Sequence, residues 1–98
     1  MKQYMIELAV SQLAESIAWY ESHGLTLELQ DDANGFAILN DGAAGRIALK
    51  LGDPLPSSIL VHFQVGELPP GEVKESAEGY RRVILRDPDG YRICFFEL

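Results

Sequence analysis

The chain has a single cysteine, Cys94, among its 98 residues. One thiol cannot form an internal disulfide or supply a zinc site built mainly from thiolates. No apolar run approaches the roughly 20 residues that a membrane-spanning helix needs. The residues after Met1 lead into an alternating pattern without a leader-like apolar stretch. We therefore expect a cytoplasmic protein in a reducing compartment and exclude a transmembrane protein.

Basic residues are also scarce, with eight lysines and arginines against fifteen aspartates and glutamates, a net charge of −7. A surface of that sign repels phosphate backbones and anionic lipid headgroups. Nucleic acid and membranes are therefore excluded as expected partners, and a cationic partner is favoured. The hydrophobic fraction of 47% is enough for one core in a chain of this length. We expect one domain over residues 1–98.

The first half of the chain shows two kinds of apolar periodicity. The alternation over residues 4–10 predicts a strand. Apolar positions at helical spacing then predict a helix that Ser11 caps and that ends at Gly24. Further strands, separated by turn sequences, are predicted over residues 25–30, 36–40 and 46–51. The first module, residues 1–51, therefore has the order β-α-β-β-β.

The second half has a shortened version of the same order. Residues 52–58 have the composition of a linker, and the second module, residues 58–98, begins with a strand over residues 59–65. Residues 66–79 are rich in proline, glycine and glutamate, which predicts a loop. The chain ends in a predicted hairpin. Its strands cover residues 80–86 and 91–98, and its turn covers residues 87–90.

Two segments of the chain resemble parts of a known superfamily. Residues 16–21, Ser-Ile-Ala-Trp-Tyr-Glu, followed by Gly24-Leu25, are similar to the helix ending S-x-x-F-Y-x-x-x-L-G-L of the glyoxalase/bleomycin-resistance/dioxygenase superfamily, also called vicinal oxygen chelate proteins. Residues 86–91, Arg-Asp-Pro-Asp-Gly-Tyr, and the strand after them resemble its closing hairpin. The order of the two segments agrees with the β-α-β-β-β pattern. The resemblance covers the chain except residues 66–79.

The resemblance implies an α+β fold of two paired β-α-β-β-β modules, whose strands form a curled mixed sheet around a cavity. The second module would lack its helix, because the superfamily places a helix and another strand at residues 66–79, which are too few for both. An apolar strand face without cover promotes association, and a second copy of the chain is the simplest cover. We therefore expect a homodimer. The residues of that face are Ile59, Val61, Phe63, Val65, Tyr91, Ile93 and Phe95.

Metal enzymes of this superfamily take His, Glu or Gln ligands from four strand positions that face the cavity. Carried over to this chain, those positions fall on Met5, Ala48 or Lys50, Leu60 and Cys94. None of these side chains suits a divalent ion bound through nitrogen and oxygen. A shift of two residues in the second half would exchange Leu60 for His62. The resemblance therefore implies that the metal site is lost and that no cofactor is held.

Strand alternation places polar and aromatic side chains on the same cavity-facing side. The candidates for ligand contact are Glu7, Lys50, His62, Gln64, Arg92, Cys94 and Phe96. Glu7 interrupts an apolar strand, where a buried carboxylate needs a partner. Phe96, with Tyr91 or Phe36, would supply aromatic walls. The leading hypothesis is a metal-free small-molecule-binding protein for an aromatic or cationic compound, without an enzymatic step.

Two other functions stay open at this point. Glu7, His62 and Cys94 form a displaced set of three ligands for a divalent metal ion, which would support a lyase, isomerase or dioxygenase. Alternatively, the apolar face of the second module docks another chain, and the protein is a structural or regulatory interaction domain. For a bound anion, Lys50 and Arg92 offer local positive charge.

Overall fold

The structure, a computed structural model, describes residues 1, 4–56, 59–75, 77 and 79–97. Within them the elements are β1 Ile6–Val10, α1 Leu13–Ser22, β2 Thr26–Asp31, β3 Phe36–Asn40, β4 Arg46–Leu51, β5 Leu60–Gln64, β6 Lys74–Glu75, β7 Arg81–Arg86 and β8 Arg92–Glu97. The predicted α+β class is confirmed, with two four-stranded mixed sheets. The chain divides into two compact units, Met1–Leu55 and Pro56–Leu98. Among all the residues that the structure describes, no helix is long and apolar enough to cross a membrane.

The first sheet has the strand order β1-β4-β3-β2, in which β1 runs parallel to β4. The predicted bounds of β3 and β4 are confirmed, because turn residues flank both strands. The helix ends as predicted, with Gly24 at a φ of +98°. Ser11 was wrong as the cap, because the residue directly before the helix is Gln12, which has extended backbone and no side-chain cap bond.

Helix α1 packs its apolar side onto one face of the first sheet. Leu13, Ile17 and Tyr20 are its large buried side chains, and the helix contacts β2, β3 and β4. In the sheet, Leu8 lies opposite Leu49, and both are buried. The core of this unit therefore lies between the helix and that face of the sheet.

The second sheet has the strand order β5-β8-β7-β6, in which β5 runs parallel to β8. The turn between β7 and β8 lies at residues 87–90, as predicted. The Asp87 carboxylate accepts hydrogen bonds from the backbone N–H of Asp89 and Tyr91, at 3.0 and 2.9 Å. Gly90 has a φ of +89° and donates its N–H to the Asp87 carbonyl. This turn sets the register of the closing hairpin.

Residues 66–79 are not entirely a loop, because β6 lies within them. Lys74 pairs with Arg82 and Glu75 pairs with Arg81 in an antiparallel ladder. A two-residue strand of charged side chains has no apolar alternation of its own. Its backbone partners on β7 select this conformation, and sequence periodicity therefore does not reveal it.

The expectation of a bare apolar face on the second module was wrong. Four of the seven residues named for that face are at most 7% exposed in the single chain: Val61, Tyr91, Ile93 and Phe95. The segment around Gly71 lies over the neighbouring positions of β7, since a Cβ atom at Gly71 would meet Val83 and Leu85. The argument for a homodimer that rested on this bare face therefore fails.

We expect Gly71→Ala to destabilise the second unit. The added methyl group would lie 2.6 Å from Cγ1 of the fully buried Val83, and the φ of +156° at Gly71 would also strain a residue with a side chain. Overpacking of this kind costs about 1–3 kcal/mol in the free energy of unfolding. Urea denaturation followed by circular dichroism measures the loss. Gly79→Ala is the matched control, because Gly79 also has a positive φ, +92°, and nothing lies within 4 Å of a Cβ atom there. An equal effect of both substitutions would contradict this packing.

Candidate functional site

Cross-strand pairing brings five of the predicted ligand-contact residues onto one face of the second sheet. Three rows of paired residues build this face: Leu60 with Arg92 and Arg86, His62 with Cys94 and Ile84, and Gln64 with Phe96, Arg82 and Lys74. We call these ten residues the second polar face. Val61, Ile93 and Phe95 alternate with them and belong to the core on the other side. The predicted alternation of β5 and β8 is confirmed.

The first sheet carries the other two predicted residues, also on one face. Glu7 pairs with Ala48, and Ala9 pairs with Lys50, so the alternation of β1 and β4 is confirmed as well. Glu7 is exposed, and a hydrated carboxylate needs no buried partner. The expectation of a buried Glu7 was therefore wrong. The Lys50 Nζ atom donates a hydrogen bond of 2.6 Å to the Asn34 carbonyl, which ties this ammonium to the β2–β3 turn.

The second polar face is positively charged, although the whole chain has a net charge of −7. Lys74, Arg82 and Arg92 form no ion pair with any part of the chain that the structure describes. Arg86 donates a hydrogen bond to the Gly90 carbonyl at 2.9 Å. The remaining arginine of β7, Arg81, lies on the other face and pairs with a carboxylate there, Glu97. Four cations of this sheet thus share one face, and none of them pairs with an acid of the described chain.

Cys94 lies in the middle row of this face and is fully buried. Burial raises the pKa of its thiol, and the nearby Arg82 guanidinium only partly offsets that effect. Metal ions bind the thiolate, so a raised pKa opposes coordination by this residue. Over residues 4–56, 59–75 and 79–97, no three His, Cys, Asp or Glu side chains form a group that could hold a metal ion.

Aromatic side chains flank the same face. The Phe96 ring lies 5.1 Å from the Tyr80 ring and 6.4 Å from the His62 ring, measured between centroids. His62 is exposed, and its imidazole is therefore available to solvent. Tyr91 was wrong as an aromatic wall, because its side chain is buried in the core. Phe36 is half-buried and pairs with Lys50 on the first sheet.

A groove at the edge of the second sheet was missed by the sequence analysis. It has a volume of about 150 Å³ and is lined by Glu72, Lys74, Arg82 and Ile84. Glu72 and Lys74 lie in a segment without periodicity, so only the structure places them. Arg82 and Ile84 could have been found, because strict alternation along residues 81–86 predicts that they share a face.

We expect the Cys94 thiol to resist modification while the protein is folded. Because it is buried and protonated at neutral pH, dithiobis(nitrobenzoic acid) should react at least about a hundredfold more slowly than in denaturant, where access requires no opening of the fold. Thiol release followed by absorbance measures both rates. Comparable rates in the two states would contradict the burial of Cys94.

The raised pKa of the Cys94 thiol also lowers the free energy of unfolding as the pH rises above the ordinary thiol value of 9.0, because the unfolded thiol ionises first.

Comparisons with known proteins identify the fold. No protein-family model matches the chain. An uncharacterized protein of Mycolicibacterium smegmatis is 27% identical over an alignment of 105 positions, which covers 94% of this chain and 90% of that protein. A glyoxalase-related enzyme from Fulvimarina pelagi superposes with a TM-score of 0.79 at 15% identity, over 100% of this chain and 88% of that one.

Bleomycin resistance proteins have the same fold. The determinant encoded on the transposon Tn5 superposes with a TM-score of 0.76 at 18% identity, over 99% of this chain and 98% of that one. A bleomycin-binding protein in complex with bleomycin superposes with a TM-score of 0.72 at 17% identity, over 100% and 99%. The predicted resemblance to the glyoxalase/bleomycin-resistance superfamily is confirmed at the level of the fold.

Proposed function

We propose that this chain, which has the fold of the glyoxalase/bleomycin-resistance superfamily, is a small-molecule-binding protein that works without a metal ion. The observation that carries the proposal is the second polar face. Apart from the buried Cys94, the polar and aromatic side chains that line it are exposed or half-buried, while the other side of the same sheet holds the core. On a sheet face of this composition, a few polar side chains orient the ligand, and the aromatic rings bind its apolar part.

The comparisons support ligand binding as one use of this fold. One neighbour is a bleomycin-binding protein in complex with bleomycin. Sequestration of a compound requires affinity alone, so a protein with this function needs none of the metal ligands that catalysis in the superfamily requires. The leading hypothesis from the sequence is kept here, with His62, Gln64, Arg92 and Phe96 as its ligand-contact residues.

A metal-dependent enzyme is the second candidate, favoured by the glyoxalase-related neighbour. The ligand set that the sequence suggests for it is Glu7, His62 and Cys94, which form no metal-holding group among the described residues. The burial of Cys94 and its raised pKa count against this set. His62→Ala separates the two candidates, because it should abolish metal binding in an enzyme and only change ligand affinity in a binding protein. His23→Ala is the matched control, since the His23 ring packs on Trp19 at the end of α1.

Nuclear magnetic resonance of the ¹⁵N-labelled chain tests the proposal directly. We would record amide spectra with a panel of small aromatic, cationic and anionic compounds. The proposal predicts that at least one compound shifts amide signals of β5, β7 and β8 in a saturable manner. It is wrong if every compound leaves these strands unchanged, or if the shifts of all binders centre on exposed turns of the first unit.

The homodimer and the cytoplasmic location are also part of the proposal. The bare face of the second module no longer supports a dimer, but the first unit exposes other large apolar side chains, among them Ile6, Leu29 and Leu51. A second copy is one way to cover such side chains. A single buried thiol agrees with a reducing compartment. Sedimentation velocity over a range of protein concentrations tests the dimer.

A further inference from the structure

The geometry points to an anion subsite in the groove lined by Glu72, Lys74, Arg82 and Ile84, which takes the carboxylate of a small organic acid. This inference rests on the proposed function and names the chemical class of the ligand. It departs from the expectation of a cationic guest that the net charge of −7 favours. The local charge decides here, because salt screens the effect of exposed acids that lie more than about 10 Å away.

Two cations lie directly opposite each other at this groove. Lys74 on β6 and Arg82 on β7 are register partners, and like charges at directly opposite positions destabilise a sheet. Neither forms an ion pair with a described residue. An anion between the two side chains would replace this repulsion with attraction to both.

One nitrogen of the half-buried Arg82 guanidinium also lacks a partner. Its Nε atom is buried and has no hydrogen-bond partner in the described part of the chain. A buried donor without an acceptor is unfavourable, and the polar partner that lies close to this guanidinium is the neutral Cys94 thiol. Guanidinium groups match carboxylates in a planar, two-pronged geometry. A carboxylate beside Arg82 would therefore supply the counter-charge that the chain itself does not supply.

The groove limits the size and polarity of the ligand. A volume of about 150 Å³ matches cavities that hold one benzene-sized molecule. Ile84 supplies an apolar wall, and its side chain is 37% exposed. Glu72 also lines the groove, and its carboxylate opposes a bound anion. Two cations against one acid still leave a net positive site, which suits a small monocarboxylate with a compact apolar part.

Benzoate and benzamide form a matched pair of probes for this subsite. They have nearly the same shape, and only benzoate carries a charge. Isothermal titration of the full-length chain should show that benzoate binds and that benzamide binds at least about tenfold more weakly, because the neutral amide forms no charge-assisted bond with Arg82. Benzoate should also shift the amide signals of β6 and β7.

Four variants locate the binding energy. Arg82→Gln and Lys74→Gln should each weaken benzoate binding several-fold. Glu72→Gln should strengthen it, because it removes the opposing carboxylate. Arg81→Gln is the matched control: it removes the same charge from the same strand, but on the other face, where Arg81 pairs with Glu97. Lys74 is exposed, so its variant tests the site even if Arg82→Gln fails to fold.

The inference is overturned if benzamide binds as tightly as benzoate, or if Arg81→Gln weakens binding as much as Lys74→Gln does. It is also overturned if benzoate fails to bind while neutral or cationic compounds bind the second polar face. That last result would leave the proposed function intact. If no organic compound of any charge binds this face, the proposed function itself fails.

Discussion

Ile93→Ala should lower the free energy of unfolding by about 2–5 kcal/mol, the usual cost of truncating a fully buried aliphatic side chain. Ile93 lies on β8, an inner strand of the second sheet, and its register partners Val61 and Leu85 belong to the two adjacent strands. Its side chain is fully buried, so the substitution removes apolar contacts and leaves a cavity in the core.

Ile84→Ala is the control for this core substitution. Ile84 has the same side chain on the neighbouring strand, but it lies on the second polar face and is partly exposed. Its truncation should cost about 1 kcal/mol or less. Urea denaturation of both variants, followed by circular dichroism, measures the difference. Equal losses would contradict the assignment of the core to the Ile93 side of the sheet.

Asp87→Ala should cost about 2–4 kcal/mol, since the buried Tyr91 N–H would be left unsatisfied, at about 1–3 kcal/mol, and the part-buried Asp89 N–H would lose a bond worth about 1 kcal/mol. The carboxylate is 5% exposed and accepts hydrogen bonds from the backbone of Asp89 and Tyr91. It therefore maintains the turn that sets the pairing of β7 with β8.

Asp87→Asn provides the comparison, because an asparagine side chain keeps one acceptor oxygen in the same position. The Oδ1 atom of Asp87 accepts both bonds, so Asp87→Asn should retain most of the stability that Asp87→Ala loses. Thermal and urea denaturation of the two variants measure this recovery. If they are equally unstable, the turn depends on the charge of Asp87 and not on its hydrogen bonds.

Most of the fold could be predicted from local patterns. Strands β3 and β4 begin and end at the predicted residues, because glycine and aspartate turns flank them. The end of α1 was also clear, since Gly24 takes a positive φ. The short strand β6 was missed, because two charged residues show no periodicity and its conformation depends on pairing with β7.

The candidate site was predicted less completely, for a physical reason. Alternation tells which residues of a strand share a face, and it correctly grouped His62 with Gln64 and Cys94 with Phe96. It does not tell how deeply a side chain is buried. Glu7 was expected to be buried and is exposed. The groove beside Arg82 requires tertiary contacts that no local pattern encodes.

Two short segments identified the fold despite low overall identity. The helix ending at residues 16–25 and the turn at residues 87–90 are places where backbone geometry limits the choice of residue. The solved structures reported above are only 15–18% identical to this chain. Their resemblance defines the architecture, but a shared fold does not specify a function, and the function that we propose rests on the side chains of the second polar face.

Native mass spectrometry tests the central claim, ligand binding without a metal ion, most directly. The full-length chain would be purified without chelator and incubated in turn with zinc, nickel, manganese and ferrous ions. We predict a spectrum without a stoichiometric metal adduct, with either the bare protein or a bound organic compound. One metal ion per subunit that is retained in the wild type and in His23→Ala, but lost in His62→Ala, would contradict the claim and support the enzyme.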